Sequence, residues 1–198
     1  MFKRRLRALA KVSQEQSLED ERKVIEILRT HAKDDIEYIA KRCKFSSQKV
    51  WRIISKLEKE KHIWGYSAVV DDEYVGLCHY YMQISRSGVP LSKGIIEEVL
   101  FTRLDDIVPG SQITIENIEY VNGLCDAVVT FFAKNIMVAK RFMEKFNQHF
   151  QPYVVNLYLC ESVYTIRRCG LRNPNIKKNL NLPLMDDSVN LKDLTDKH

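Results

Sequence analysis

Residues 36–63 constrain the fold of this chain more than any other segment. Their apolar side chains recur at helical spacing in two short runs, and a polar stretch around Ser46 separates the runs. Residues 41–61 carry eight Lys or Arg against two Glu. Two short amphipathic helices with a basic outer face are typical of a unit that lies against a phosphate backbone.

The surrounding residues extend this pair into a small helical domain. A first helix is predicted over residues 18–30, and a second over residues 36–43 behind the capping residues Asp34 and Asp35. A third helix begins after Ser46, a residue that caps helix N-termini well. Residues 63–70 are aromatic and β-branched and predict a strand. Three helices followed by a strand or wing form a winged helix-turn-helix.

The second half of the chain changes to alternating strands and helices. The predicted order is β-α-β-β-α-β, which is the ferredoxin-like split unit. The fold class is therefore predicted as α+β, with an N-terminal winged helix-turn-helix domain and a C-terminal ferredoxin-like domain. Strands are predicted at residues 78–85, 113–121, 126–133 and 153–164, helices at 91–104 and 137–150, and turns at Pro109-Gly110 and Gly123.

The composition fits a folded protein that stays out of membranes. The chain has 198 residues, 45% of them apolar and 29% charged, which is enough for one or two compact domains. No apolar run approaches the roughly 20 residues that span a bilayer. A basic start without a following apolar stretch does not resemble a secretory signal. We expect a cytoplasmic protein.

Charge is segregated along the chain. Residues 1–12 hold five cations and no acid, whereas residues 71–126 hold ten acids and three bases. This pattern indicates a cationic module for a polyanion joined to a module with a different role. The alternative is that the basic helices only keep the surface solvated.

The sequence offers no metal, cofactor or catalytic site. The five cysteines are dispersed without C-x-x-C pairing and are expected to be reduced and mostly buried. The histidines lack metal-ligand spacing, and Gly-rich phosphate loops are absent. We see no Ser or Cys nucleophile with a base partner, so we do not expect an enzyme.

The third predicted helix carries the candidate recognition residues. In a DNA-binding helix-turn-helix the second helix of the motif meets base edges while flanking cations contact phosphates. Gln pairs with adenine and Arg with guanine, so Ser47, Gln48 and Arg52 are candidates for base reading. The alternative is a plain three-helix bundle with a solvated face. The candidate DNA-binding residues are Lys41, Lys44, Ser46, Ser47, Gln48, Lys49, Trp51, Arg52 and Lys56.

The register of these residues resembles a known family. The residues Glu21 to Leu28, Ile39-Ala40-Lys41, Phe45-Ser46, Val50-Trp51-Arg52, Leu57-Glu58, Ile63 and Gly65-Tyr66 resemble the N-terminal half of the leucine-responsive/asparagine-regulator (Lrp/AsnC) transcription factors. Three positions depart from the family pattern. Lys44 and Lys61 stand where glycines are common, and Ile53 stands where arginine is usual.

A second, weaker resemblance lies around Gly123. Val121-Asn122-Gly123-Leu124-Cys125-Asp126 looks like the strand-turn-strand signature of the family, with Asn122 replacing the usual Thr or Ser. The resemblance implies that amino acids or similar effectors bind near this turn, where regulatory domains pair. The alternative is a tight turn in which Asp126 caps its own backbone. The candidate effector-binding residues are Asn122, Gly123, Leu124, Cys125 and Asp126.

The resemblance implies a sequence-specific DNA-binding transcriptional regulator. Its partners would be double-stranded DNA, a second copy in a homodimer, tetramer or octamer, and an amino-acid effector. A DNA-compacting protein of the same fold and a siroheme-decarboxylase-like enzyme are the alternatives. The expected segments are a basic extension (1–17), the DNA-binding domain (18–63), a linker strand (64–76), a ligand-sensing and oligomerisation domain (77–166) and a polar tail (167–198). Disorder is the default expectation for the extension, and the alternatives are an extra DNA-contacting helix, an arm against the partner subunit and an amphipathic segment at a membrane surface.

Overall fold

The computed structural model describes residues 2–102, 104–107 and 113–175, with side chains from Gln14 onward. The chain divides into two compact units. The first unit comprises Met1–Val69 together with the residues from Ile166 on, and the second comprises Val70–Thr165. In chain order the elements are α1 (Phe2–His31), α2 (Ile36–Cys43), α3 (Ser47–Lys59), α4 (Asp72–Val75), β1 (Cys78–Arg86), α5 (Lys93–Phe101), a 3-10 turn (Leu104–Ile107), β2 (Ile113–Tyr120), β3 (Ala127–Ala133), α6 (Ile136–His149), β4 (Val154–Glu161), β5 (Arg167–Arg168) and β6 (Leu171–Arg172).

The first unit contains the predicted helix-turn-helix. The carboxylate of Asp35 accepts a hydrogen bond from the backbone N–H of Tyr38 at 2.7 Å and caps α2, as predicted. The Ser46 hydroxyl accepts from the Lys49 N–H at 3.3 Å and caps α3, also as predicted. Both caps satisfy helical N–H groups that have no partner inside the helix. The core between the three helices consists of Val24, Leu28, Ile39, Ala40, Cys43 and Val50.

Helix α1 is longer than predicted. The helix begins at Phe2 and continues without a break to His31, so the basic extension of residues 1–17 is helical. Neither Gly nor Pro occurs among these 30 residues, and long unbranched side chains are frequent, which favours an uninterrupted helix. The default expectation of disorder was wrong, because the extension is helical and continuous with the rest of α1. Its contact with DNA or with a partner subunit stays a prediction.

The strand predicted over residues 63–70 was wrong. Residues 64–71 belong to no helix or strand in the described part of the chain. A strand is stable only when it pairs with another, and no described segment pairs with this one. Its aromatic side chains are left exposed, with Trp64 at 95% and Tyr66 at 54%. The predicted wing after α3 is therefore missing from the described chain.

A hairpin belongs to the first unit, but it comes from the opposite end of the sequence. Strands β5 and β6, which lie in the predicted polar tail, pair antiparallel through Arg168 and Leu171. Cys169 and Gly170 form the two-residue turn with φ of 48° and 81°. Two positive φ values match the right-handed twist of a hairpin, and glycine adopts the second without strain.

The second unit has the predicted β-α-β-β-α-β order. Its four strands form an antiparallel sheet in the order β2-β3-β1-β4. Helix α6 buries Ala139, Phe142 and Phe146 against one face of the sheet. Each strand and helix predicted for this unit is present, with ends that differ by at most three residues. The predicted Pro109-Gly110 turn lies outside the described residues.

Two lysines in the first unit adopt the left-handed conformation that favours glycine. Lys44 ends α2 with φ 58° and ψ 42°, and Lys61 follows α3 with φ 61°. These are the positions where the sequence departs from the glycines common in the Lrp/AsnC family. A side chain with a Cβ atom in this region costs about 1–2 kcal/mol.

We expect Lys44→Gly and Lys61→Gly each to raise the free energy of unfolding by about 0.5–1 kcal/mol. Relief of the left-handed strain outweighs the extra freedom that glycine gives the unfolded chain. Urea unfolding should show higher midpoints with an unchanged slope. The matched control is Lys41→Gly inside α2, which should lower stability by about 1 kcal/mol. Equal losses for all three variants would contradict the strain.

Candidate nucleic-acid interface

Helix α3 presents a polar face to solvent. Val50 and Leu57 point into the unit and are buried, with exposed fractions of 0% and 2%. Gln48, Arg52 and Lys59 follow one another at spacings of four and seven on the opposite side and are exposed. This face combines an amide, a guanidinium and an ammonium group, which are the donors that read bases and hold phosphates.

Two further candidates flank this face. Ser47 is exposed in the first turn of α3, and Trp51 is exposed to 56% one turn later. Ser46 differs from them because its hydroxyl accepts the N-cap hydrogen bond described above. Ser46 therefore acts on the geometry of α3, while Ser47 is exposed to solvent.

The preceding helix and turn add cations. Lys41 in α2 and Lys44 in the turn are both exposed. Arg42 donates from its Nη1 to the Tyr38 hydroxyl at 3.1 Å, and its guanidinium carbon lies 5.7 Å from the centre of that ring. Tyr38 thereby holds Arg42 against α2. Lys41 and Lys44 keep their ammonium groups available to an external anion.

Lys49 and Lys56 form ion pairs with acidic residues of α1. The Lys49 ammonium lies 2.5 Å from Asp20 Oδ2, and the Lys56 ammonium lies 2.8 Å from Glu21 Oε1. Both acids are in α1 and are largely buried, at 8% and 7%. Buried carboxylates need a cationic or hydrogen-bonded partner, so these lysines tie α3 to α1. Their predicted contacts with DNA stay a prediction.

The ion pairs change the acidity of their members. The hydrogen bond from Lys49 lowers the pKa of Asp20, and this effect outweighs burial, which acts in the opposite direction. The hydrogen bond to Glu21 raises the pKa of Lys56. Both pKa directions favour the charged forms of Asp20 and Lys56.

The candidate effector turn is an open loop between β2 and β3. Leu124 is fully exposed, and a Cβ added to Gly123 would meet nothing within 4 Å. The φ of Gly123 is not positive, so neither its backbone nor a contact with the described residues requires glycine there. Asn122 is also exposed, whereas Cys125 is half-buried.

Asp126 closes this turn with a structural contact. One carboxylate oxygen, Oδ2, accepts a hydrogen bond from the backbone N–H of Arg86 at 2.7 Å. Its own backbone N–H donates to the carbonyl of Ile84 at 2.9 Å, and its carbonyl accepts from Val121 at 3.0 Å. Asp126 therefore joins the start of β3 to the end of β1. The alternative interpretation expected Asp126 to cap its own backbone. The hydrogen bond of its carboxylate is instead to the backbone of Arg86.

A polar group that the sequence analysis missed lies across β1, β3 and β2. His79 Nε2 is 2.9 Å from Glu116 Oε2, and Thr130 Oγ1 donates to the same carboxylate oxygen at 3.1 Å. Asn117 Nδ2 donates to Thr130 Oγ1 at 2.9 Å. An irregularity in β2 between Ile115 and Asn117 brings Glu116 into this position. Only the strand pairing assembles these residues, since they are scattered in sequence.

The five cysteines are all free and differ in exposure. Only Cys43 is buried, and burial raises the pKa of its thiol. Cys160 and Cys169 are exposed, so the expectation of mostly buried thiols was wrong. Among the described residues there is no group of three or more His, Cys, Asp or Glu side chains suited to a metal ion. None of the described helices is both long enough and apolar enough to cross a bilayer.

Comparison with known proteins shows what this fold is similar to. Neither a protein-family model nor a curated protein matches the chain. A feast or famine regulatory protein from M. tuberculosis, solved with L-methionine, matches with a TM-score of 0.58 and 18% identity over 76% of this chain and 94% of its own. An AsnC family transcriptional regulator from Agrobacterium tumefaciens gives 0.57 and 15% over 80% and 97%. B. subtilis LrpC gives 0.54 and 16% over 75% and 95%.

These matches define the class of the molecule. It is a helix-turn-helix unit joined to a ferredoxin-like unit, and solved transcriptional regulators share that fold. The chain has the fold of the Lrp/AsnC regulators, and the resemblance drawn from its sequence is confirmed at the level of the fold.

The ion pair of Asp20 predicts a pH-dependent stability. Because the folded-state pKa is lowered, the pair stabilises the protein above the usual Asp pKa of about 3.9 and loses this effect as pH falls through the lower folded value. Asp20→Asn should lower the free energy of unfolding at pH 7 by about 1–2 kcal/mol.

The same variant should lose less stability than the wild type between pH 5 and 2, as measured by urea unfolding at each pH. The control is Asp34→Asn, which replaces an exposed carboxylate in the turn before α2. It should follow the wild-type profile. An acid limb of Asp20→Asn identical to that of the wild type would show that the pair does not contribute.

Proposed function

We propose that the protein is a sequence-specific DNA-binding transcriptional regulator. The observation that supports this most directly is the exposed face of α3, where Gln48, Arg52 and Lys59 lie in line. Helix α2 and the capped turn hold this face in the arrangement of a helix-turn-helix, in which the second helix enters the major groove. The fold neighbours, which include named transcriptional regulators, add to the case.

The residues divide into two groups by chemistry. Ser47, Gln48 and Arg52 lie towards the N-terminal half of α3 and would contact base edges. Lys41, Lys44 and Lys59 would contact phosphates. Trp51 would pack beside the sugar-phosphate backbone of the DNA. Lys49 and Lys56 would act mainly through their ion pairs with α1, by holding α3 at the correct angle.

We propose that the protein works as a homodimer that pairs through the open face of its sheet. Tyr81 and Tyr158 lie on the face of β1 and β4 away from the core, with exposed fractions of 40% and 57%. Met82, which follows Tyr81 in β1, is fully buried on the opposite face. A sheet with helices on one side needs cover on the other, and a second copy supplies it. Two copies would present two recognition helices to a pseudo-palindromic site.

We also propose that a small effector, an amino acid or a similar molecule, binds at the turn of residues 122–126. The turn is exposed and carries the free carboxylate oxygen of Asp126, which could accept from an ammonium group. The M. tuberculosis neighbour was solved with L-methionine. The open space around Gly123 would let a partner subunit or a ligand approach the backbone closely.

Arg52→Ala and Lys59→Ala test the division between base and phosphate contacts. A site is first selected from random DNA by the purified protein at a stated salt concentration. Arg52→Ala should lose about 10-fold or more on that site and much less on random DNA. Lys59→Ala should weaken both equally and reduce the slope of affinity against salt by about one.

The measurement is fluorescence anisotropy with both DNA types over a salt series. Equal losses on both for Arg52→Ala would exclude base reading by this residue. A wild-type protein that hardly distinguishes the two DNAs, with a steep salt slope, would instead favour general DNA compaction.

Tyr158→Lys tests the proposed dimer. A lysine on the open face would bring like charges together across a two-fold axis, so the sedimenting mass should fall to that of a monomer. The control is Leu100→Lys, which alters an exposed apolar residue of α5 away from the open face of the sheet. It should leave the mass unchanged. Dissociation by the control alone would place the interface elsewhere.

A further inference from the structure

The hairpin of β5 and β6 holds two arginines face to face. Arg167 and Arg172 lie directly opposite each other in the two strands. In the next pair along, the Asn173 N–H donates to the Ile166 carbonyl at 3.0 Å. Hydrogen-bonded and non-hydrogen-bonded pairs alternate in an antiparallel ladder, and the side chains of a non-hydrogen-bonded pair approach most closely. Arg167 and Arg172 form such a pair.

This pair of like charges needs an anion. Both arginines are exposed, and neither forms an ion pair with an acid of the described chain. Like charges directly opposite each other destabilise a strand pair. A two-stranded hairpin is only marginally stable by itself, so it has little to set against this repulsion. An external anion that both guanidinium groups contact would remove the repulsion.

The neighbouring sequence adds further positive charge. Residues 162–185 hold five cations and no acid. The hairpin is therefore the centre of a segment whose charge is of one sign, which is typical of a segment that meets a polyanion.

The hairpin turn packs on the C-terminal end of α1. A Cβ added to Gly170 would lie 3.3 Å from the Cγ2 atom of Thr30. Thr30 is in the last turn of α1 beside the exposed Arg29, and residues 32–35 join α1 to α2. The first helix of a helix-turn-helix crosses the DNA backbone. A hairpin beside the entrance to α2 is therefore placed to meet phosphates.

We infer that the hairpin of β5 and β6 contacts phosphates of double-stranded DNA beside the site that α3 would read. The planar donors of a guanidinium match phosphate geometry, so Arg167 and Arg172 would hold one phosphate together or two phosphates separately. They would add affinity and position the protein without reading bases. The hairpin would thus serve as the wing that was predicted after α3, but from the opposite end of the chain. The inference rests on the proposed function and adds a contact outside the helix-turn-helix.

The test is the double variant Arg167→Gln/Arg172→Gln of the full-length protein. Fluorescence anisotropy measures its affinity for the selected site and for random DNA over a salt series. Affinity for both DNAs should fall together by about 10-fold or more at low salt, because phosphate contacts do not depend on sequence. The slope of log affinity against log salt should fall by about one for a shared phosphate and by about two for separate ones.

The matched control is Lys140→Gln/Lys145→Gln. Both lysines are exposed on α6 of the second unit, and the control changes the net charge by the same amount. It should bind both DNAs almost as the wild type does. A loss equal to that of the arginine variant would show an effect of net charge alone and contradict the hairpin contact.

Thermal unfolding without DNA tests whether the arginines serve the fold instead. Because the double variant removes the repulsion between Arg167 and Arg172, its melting temperature at low salt should equal or exceed that of the wild type. A lower melting temperature would show that the pair stabilises the hairpin within the chain, and the inference would then be wrong.

The binding results separate this contact from the proposed regulator. Unchanged affinity of the arginine variant for both DNAs, with specificity intact, would remove the hairpin contact and keep the regulator. Parallel losses in a protein that does not distinguish the two DNAs would keep the contact and exclude a sequence-specific regulator. Unchanged DNA affinity with a lower sedimenting mass would identify a second copy as the partner of the hairpin, against the inference. A wild type that binds no DNA would overturn both.

Discussion

The position of α3 depends on its ion pairs with α1. Asp20 and Glu21 are nearly excluded from solvent, and they are stable there because Lys49 and Lys56 neutralise them. Removing either lysine would leave a largely buried carboxylate without its cation. The opposite face of α3 is therefore the one that can meet an external partner. The exposed Arg52 and its neighbours lie on a helix whose orientation is set by electrostatics as well as by apolar packing.

The second unit depends on strand alternation. In β1, Met82 and Ile84 face the helices and form part of the core, while Tyr81 faces the open side. The same alternation brings Arg86 to the helix side, at the end of an apolar row, where it borders an apolar cavity between the sheet and helices α5 and α6. The irregularity in β2 turns Glu116 towards His79. Strand alternation therefore builds the core, and the irregularity in β2 creates the polar group around Glu116.

Local signals explain most of what could be predicted. Asp35 and Ser46 cap the helices where the sequence suggested, because a cap depends on residues only three apart. The departures at Lys44 and Lys61 are visible in the sequence, and the left-handed backbone there explains why glycine is common at such positions. The strand at residues 63–70 failed because strand formation needs a partner that no described segment provides.

The sequence by itself determined the order of elements in the second unit, the caps and the basic outer face of the helix-turn-helix, since each rests on residues close together along the chain. Only the tertiary structure decided which lysines of α3 form ion pairs with α1. The lysines of α3 lie 29 and 35 residues from their acids, and no spacing rule connects residues so far apart. It also decided that the hairpin near Cys169 belongs to the first unit and that Arg86 faces a cavity. Such contacts arise from packing between elements, which a linear pattern does not contain.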